Sequence, residues 1–237
     1  MSNDISAVAA SMDQRIRQLD FISNNLANAS TNGFKAQHLR ALKIIEEAGQ
    51  SEGNNLSGNI LYTDFSQGPV EKTGNPLDLA IQGDGFFVVQ TAEGQAFTRK
   101  SDFTVNRQNQ IVTQVGDPVV GDGGPITLGN GKVNISSDGS VYVDGNSVGK
   151  LRIVDFANRQ ALTNVGGGLY RDPGTAGMKP VDKPEIKAEC LESSNVNLIK
   201  EMAEMIEVHR SFETYQKVVQ TLSEEDKLST SRIGRIG

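Results

Sequence analysis

The 237 residues, 37% hydrophobic and 22% charged, suffice to bury the core of one large domain, or of one medium domain with appendages. The formal net charge is -6 and no run of clustered Lys and Arg occurs, which excludes a nucleic-acid-binding surface and makes anionic membranes poor partners. The single cysteine, Cys190, excludes an internal disulfide and a Cys-based zinc site, and the two histidines, His38 and His209, lie far apart in sequence, so neither a metal nor a catalytic pair of imidazoles is expected.

The opening "MSNDISAVAASMDQRIRQ" has no basic region ahead of an apolar run, so a cleavable secretory signal is not expected. No segment approaches the ~20 apolar residues that span a bilayer, so no membrane insertion is expected either. Apolar residues then fall at Ile5, Val8, Met12, Leu19, Ile22 and Leu26, with Ile5, Met12, Leu19 and Leu26 spaced by sevens. This spacing predicts an N-terminal helix with one narrow seam, and Asp13, Gln14, Arg17, Gln18 and Asp20 give its opposite face to solvent or a polar neighbour.

Asn24, Asn25, Asn28 and Asn32 crowd the end of that helix, ahead of Gly33, Phe34 and Lys35. Asn tolerates left-handed backbone and bonds to nearby main chain, and Gly takes positive φ without strain, so the chain is expected to turn sharply at Gly33 and to anchor the turn with Phe34. Residues 1–35 are thus read as the helix and joint of a helical domain. Residues 36–73 follow as an extended connector, in which Glu46–Asn59 has almost nothing to bury and reads as a loop.

From about residue 74 to 190 the hydrophobic period changes to two. "NPLDLAI" alternates Leu77, Leu79 and Ile81, "KVNISSDGSVYVDG" alternates Val133, Ile135, Val141 and Val143, and "DGFFVVQ" is a short apolar run. The dipeptides Asp84-Gly85, Glu93-Gly94, Asp122-Gly123, Asp138-Gly139 and Asp144-Gly145 separate these runs as hairpin turns would. A mostly antiparallel β domain is predicted. The same aspartates each precede Gly in a turn pattern and lack calcium-loop spacing, and no nucleophile with its base is seen, so neither an enzyme nor a cofactor site is expected.

Residues 191–237 return to helical spacing. Asn195 or Asn197 is placed to cap a helix whose stripe runs Leu198, Met202, Met205, Val208, Phe212, Tyr215, Val219 and Leu222, with Glu201, Glu204, Glu207, Arg210 and Lys217 on its polar side. The fold class expected is therefore α+β, with terminal helices that pair in a coiled-coil-like manner around a β-rich middle. Isolated helices are marginal in water, so two narrow seams must be covered by each other, by the β domain or by further copies of the chain, and their narrowness favours helix against helix. Identical seams on many subunits would generate a helical filament if the contact does not close.

Three blocks carry a resemblance. "NNLANASTNGFK" (24–35), "GNPLDLAIQGDGFFVVQTAEGQAFTRKSDFTVN" (74–106) and "SNVNLIKEMAEMIEVHRSFETYQKVVQT" (194–221) resemble, in order, the N-terminal signature, central domain and C-terminal helix of the bacterial flagellar rod and hook proteins. The short interval between residues 35 and 82 resembles the proximal-rod type more than the distal-rod type. The resemblance implies a non-enzymatic subunit of the basal-body rod that crosses the periplasm. It further implies export by the flagellar type III apparatus without signal cleavage, assembly with itself and other rod proteins, and a monomeric state until then. On this reading Ile5, Val8, Met12, Leu19, Ile22, Leu26, Leu198, Met202, Met205, Phe212, Tyr215, Val219 and Leu222 are assembly residues, and Asn24, Asn25, Asn28, Gly33 and Phe34 form the joint. The alternatives are a distal-rod subunit, or a non-flagellar β-domain binding module with its helices as a dimerisation stalk. Asn32 stands where the family has threonine before glycine.

Overall fold

The computed structural model describes residues 2–43 and 57–233, and the fold is α+β, with a helix at each end and a β-rich middle. Most of the loop expected over Glu46–Asn59 lies outside the described residues. The chain divides into two compact units: Met1–Ala27, Gln37–Tyr62 and Asn197–Gly237 form one, and Asn28–Ala36 with Thr63–Val196 the other.

The helical unit contains α1 (Ser2–Ala27) and α2 (Leu198–Ile233), which lie against each other, and a two-stranded sheet of β1 (Gln37–Lys43) and β2 (Ser57–Thr63). Of the two asparagines offered as caps, Asn197 fills the role: its Oδ1 accepts the Lys200 N–H at 3.1 Å, and its carbonyl accepts the Glu201 N–H at 3.0 Å. Among the described residues no helix is long and apolar enough to cross a membrane.

In the β unit, β3 (Val70–Lys72) pairs with Cys190–Glu192, and β4 (Leu79–Gln82) pairs with Glu185–Ala188, both antiparallel. β5 (Phe86–Thr91) and β6 (Gly94–Thr98) form the centre of a six-stranded antiparallel sheet ordered 163–166, 169–171, β6, β5, 153–156 and 178–180. The run "FFVV" is continuous because both faces of β5 are buried. Phe87 and Val89 enter one core with Leu79, Ile111, Val141 and Leu151, and Phe86 and Val88 enter a second with Phe97, Phe156 and Tyr170. The rings of that second core meet edge to face, as Phe97 does Phe156 with centroids 4.8 Å apart.

The turn dipeptides divide by mechanism. Asp144 and Gly145 both take positive φ, +49° and +84°, and make the two-residue hairpin between 140–143 and 146–150. Asp84-Gly85 does not make a hairpin: the strands it joins, β4 and β5, lie in different sheets. At Asp122-Gly123 it is the following Gly124 that carries positive φ. Strand β4 also departs from strict alternation, since Ala80 is as buried as Leu79 and Ile81.

Candidate functional site

The joint begins where α1 ends at Ala27. Asn28 builds the first turn: its carbonyl accepts the Thr31 N–H at 3.0 Å, and its Oδ1 accepts the Thr31 hydroxyl at 3.2 Å. The Phe34 N–H then reaches the Thr31 carbonyl at 3.2 Å. Gly33 adopts φ +67°, and a Cβ placed on it would lie 2.5 Å from the main-chain carbon of Arg99 and the nitrogen of Lys100. Both its conformation and its close approach to that strand end require glycine. Its N–H donates to the Glu192 carbonyl at 2.7 Å, and Phe34 is buried beside it in sequence.

Behind the turn lies a buried ionic network that pattern reading did not find. Lys35 Nζ donates to Glu192 Oε1 at 2.5 Å and to the Ser66 carbonyl at 2.6 Å, while Arg99 Nη1 donates to Glu192 Oε2 at 3.2 Å. The side chains of Lys35, Glu192 and Arg99 are 0%, 1% and 3% exposed. One carboxylate thus serves two cations, and the Arg99 Nη1 and Nη2 groups also donate to the main-chain carbonyls of Ile81 and Gly83. The Gly68 N–H completes the Glu192 Oε1 shell at 3.1 Å. Arg99 Nε is buried without a hydrogen bond, and the guanidinium stands 5.7 Å from the Phe86 ring centroid, where the ring face attracts it. Burial pulls the Lys35 ammonium below its ordinary pKa, with Glu192 opposing that pull, and burial acts on Arg99 in the same direction.

Asn195, offered as a cap, belongs to this lock. Its Oδ1 accepts the Ala36 N–H at 2.8 Å, and its Nδ2 donates to the Asp64 and Ser66 carbonyls at 2.8 and 3.1 Å. Residues 28–36 are thus held in one register by main-chain bonds, a glycine contact and a desolvated ion network, all within the β unit.

In the helical unit, Asn25 is wholly buried and clamps Gln37 in both directions: its Nδ2 donates to the Gln37 carbonyl and its Oδ1 accepts the Gln37 N–H, each at 2.9 Å. The same Nδ2 donates to Glu201 Oε2 at 3.1 Å. Sequence spacing put Glu201 on the polar side of α2, yet it is 2% exposed. The inward face of α2 holds Glu201 and Val208, with Met205, Phe212, Tyr215 and Val219 half-buried along it. On α1, Ile22 is buried, Val8, Met12, Leu19 and Leu26 are half-buried, and Asn24 is exposed. The side chains of Ile5 and Leu222 lie outside the described residues.

Leu198 and Met202, grouped in sequence with the inward stripe, are 50% and 52% exposed, and Ile199 and Ile206 are 81% and 56% exposed. Positions 199, 202 and 206 share one side of a helix, so α2 carries a second, uncovered apolar stripe along its first turns. A shallow groove lined by Ala203, Ile206, Glu207, Arg210, Ser211 and Thr214 continues it.

Comparison with known proteins converges on one family. Residues 6–35 match the flagella basal body rod protein family, 80–143 the flagellar hook protein FlgE/F/G D1 domain, and 188–230 the flagellar basal body rod FlgEFG protein C-terminal family. The chain is similar to the flagellar basal-body rod protein FlgF of Caulobacter vibrioides, 35% identical with 93% of each chain covered. It is 33% identical to the FlgF of Salmonella typhimurium, covering 95% of this chain and 96% of the relative, and 33% identical to the FlgG of Bacillus subtilis, covering 87% and 90%. Three family matches in chain order and a full-length relative place the chain in the flagellar basal-body rod protein family.

Proposed function

We propose that the chain is a structural subunit of the flagellar basal-body rod, of the proximal-rod type, which polymerises axially through its terminal helices and carries motor torque toward the hook. The observation that carries this reading is the uncovered stripe of Leu198, Ile199, Met202 and Ile206, an apolar surface that the chain's own fold leaves to water. Pairing of α1 with α2 through heptad-like seams forms the inner layer, and the stripe is the contact to neighbouring subunits. The locked joint suits a part under load, because a register fixed by a buried ion network does not slip between two packings. The chain leaves the cell through the flagellar export apparatus and stays monomeric until a rod partner nucleates it.

The test is a triple variant, Ile199→Ser, Met202→Ser and Ile206→Ser, expressed in a strain lacking the wild-type copy. The variant is expected to be exported and folded but absent from isolated basal bodies, with loss of swimming. Normal rods built from the variant overturn the reading.

A further inference from the structure

The fold brings His38 of β1 to Glu201 and Glu204 of α2, with one ligand-type atom from each lying within 4.8 Å of the others. Sequence reasoning considered His38 only with His209 and missed this grouping, because Glu201 and Glu204 lie 163 and 166 positions further along the chain. The carboxylates stand one helical turn apart, at i and i+3, which puts them on one face of α2. Glu201 is 2% exposed, and its hydrogen-bond donor there is the neutral amide of Asn25. Among the described residues no Lys or Arg forms an ion pair with it. A buried carboxylate so placed, beside an imidazole and a second carboxylate, is a favourable ligand for a cation, which would offset its desolvation. Lys200 Nζ stands 3.7 Å from Glu204, as an exposed and easily displaced partner.

We propose that His38, Glu201 and Glu204 bind a divalent transition-metal ion of the zinc class, which fastens β1 to the first turns of α2. One imidazole and two carboxylates select this class over magnesium and calcium, whose sites are built from oxygen alone. Asn25 is the positioning residue. It fixes the Glu201 carboxylate by one bond and, by clamping Gln37 on both sides, the backbone that presents His38. A carboxylate has lone pairs enough to keep the Asn25 bond and still ligate a metal.

The chain contains two histidines, which makes the test direct. Zn2+ is titrated into the untagged full-length chain, freed of metal by chelator, while imidazole nitrogen NMR and calorimetry are recorded. One saturable equivalent is expected, with the shift confined to a single imidazole and retained in His209→Gln, which alters only the exposed His209 on α2. His38→Gln and Glu204→Gln are expected to weaken binding by more than about tenfold, and Asn25→Ala by ~10–100-fold. Absence of saturable binding, or a shift that disappears with His209→Gln, overturns the proposal without requiring any variant of the buried residues to fold.

Discussion

The Glu192 carboxylate holds the Lys35 ammonium at 2.5 Å across 157 positions of sequence, and the same carboxylate holds Arg99 at 3.2 Å. The joint after α1 is thereby tied to the last strand before α2 by a bond that water does not reach.

Because one anion neutralises two buried cations, the members of the network are unequal. Glu192→Gln strands both cations and is expected to destabilise the β unit by ~3–5 kcal/mol. Lys35→Met leaves Glu192 paired with Arg99 and should lose about 2 kcal/mol. Urea unfolding followed by a probe in the β unit gives both values. Equal losses, or a larger loss for Lys35→Met, contradict the network as described.

Gly33 and Gly145 both carry positive φ but differ in what surrounds them: a Cβ on Gly33 meets main chain at 2.5 Å, whereas nothing lies within 4 Å of one on Gly145. Gly145→Ala should lose about 1 kcal/mol from backbone strain alone. Gly33→Ala adds steric overlap to the strain and should lose ~3 kcal/mol or more. Thermal unfolding of the two variants separates the terms.

The uncovered stripe makes the opposite prediction for stability. Single serine substitutions at Ile199, Met202 or Ile206 should change the stability of the isolated chain by no more than ~0.5 kcal/mol. Their effect belongs to assembly, read as the amount of chain recovered in basal bodies. A large loss of monomer stability would mean that these side chains are covered within the chain.

Asp155 governs part of the acid limb of stability. Burial pushes its carboxyl upward, but the Arg159 guanidinium, bonded at 2.8 and 2.9 Å, together with the Phe156 N–H and the charge of Arg99, holds it below the usual carboxylate range. A lowered folded pKa means that the folded state binds fewer protons, so the stabilisation is complete above the unfolded value near ~3.9 and disappears as pH falls through the folded one. Asp155→Asn should therefore flatten the stability profile below about pH 4 and lose about 1 kcal/mol or less near neutrality, since the pair is part-exposed.

Both helices, the β-rich middle and the glycine turn at the joint were legible in the sequence because each rests on local periodicity or on one residue's backbone freedom. The "FFVV" run and the positive φ of Gly33 are of this kind. The Lys35, Glu192 and Arg99 network was not legible, since isolated charges in sequence carry no mark of burial. Glu201 is missed for the same reason: helical spacing alone assigns a glutamate to the solvent side, and nothing local in the sequence shows that the Asn25 amide of another helix meets it. Sequence spacing gives the α2 stripe as one seam and the fold divides it, because residues three and four apart drift around a long helix.

Amide hydrogen exchange, measured on the free chain and on the same chain within isolated rods, tests most directly whether the helices are assembly elements. Assembly through the helical faces predicts strong protection of the β5 and β6 strands in both states, with faster exchange of α1 and α2 in the free chain and a marked gain of protection around 198–206 on assembly. Helices already as protected as those strands in the free chain, with no change in the rod, would contradict it.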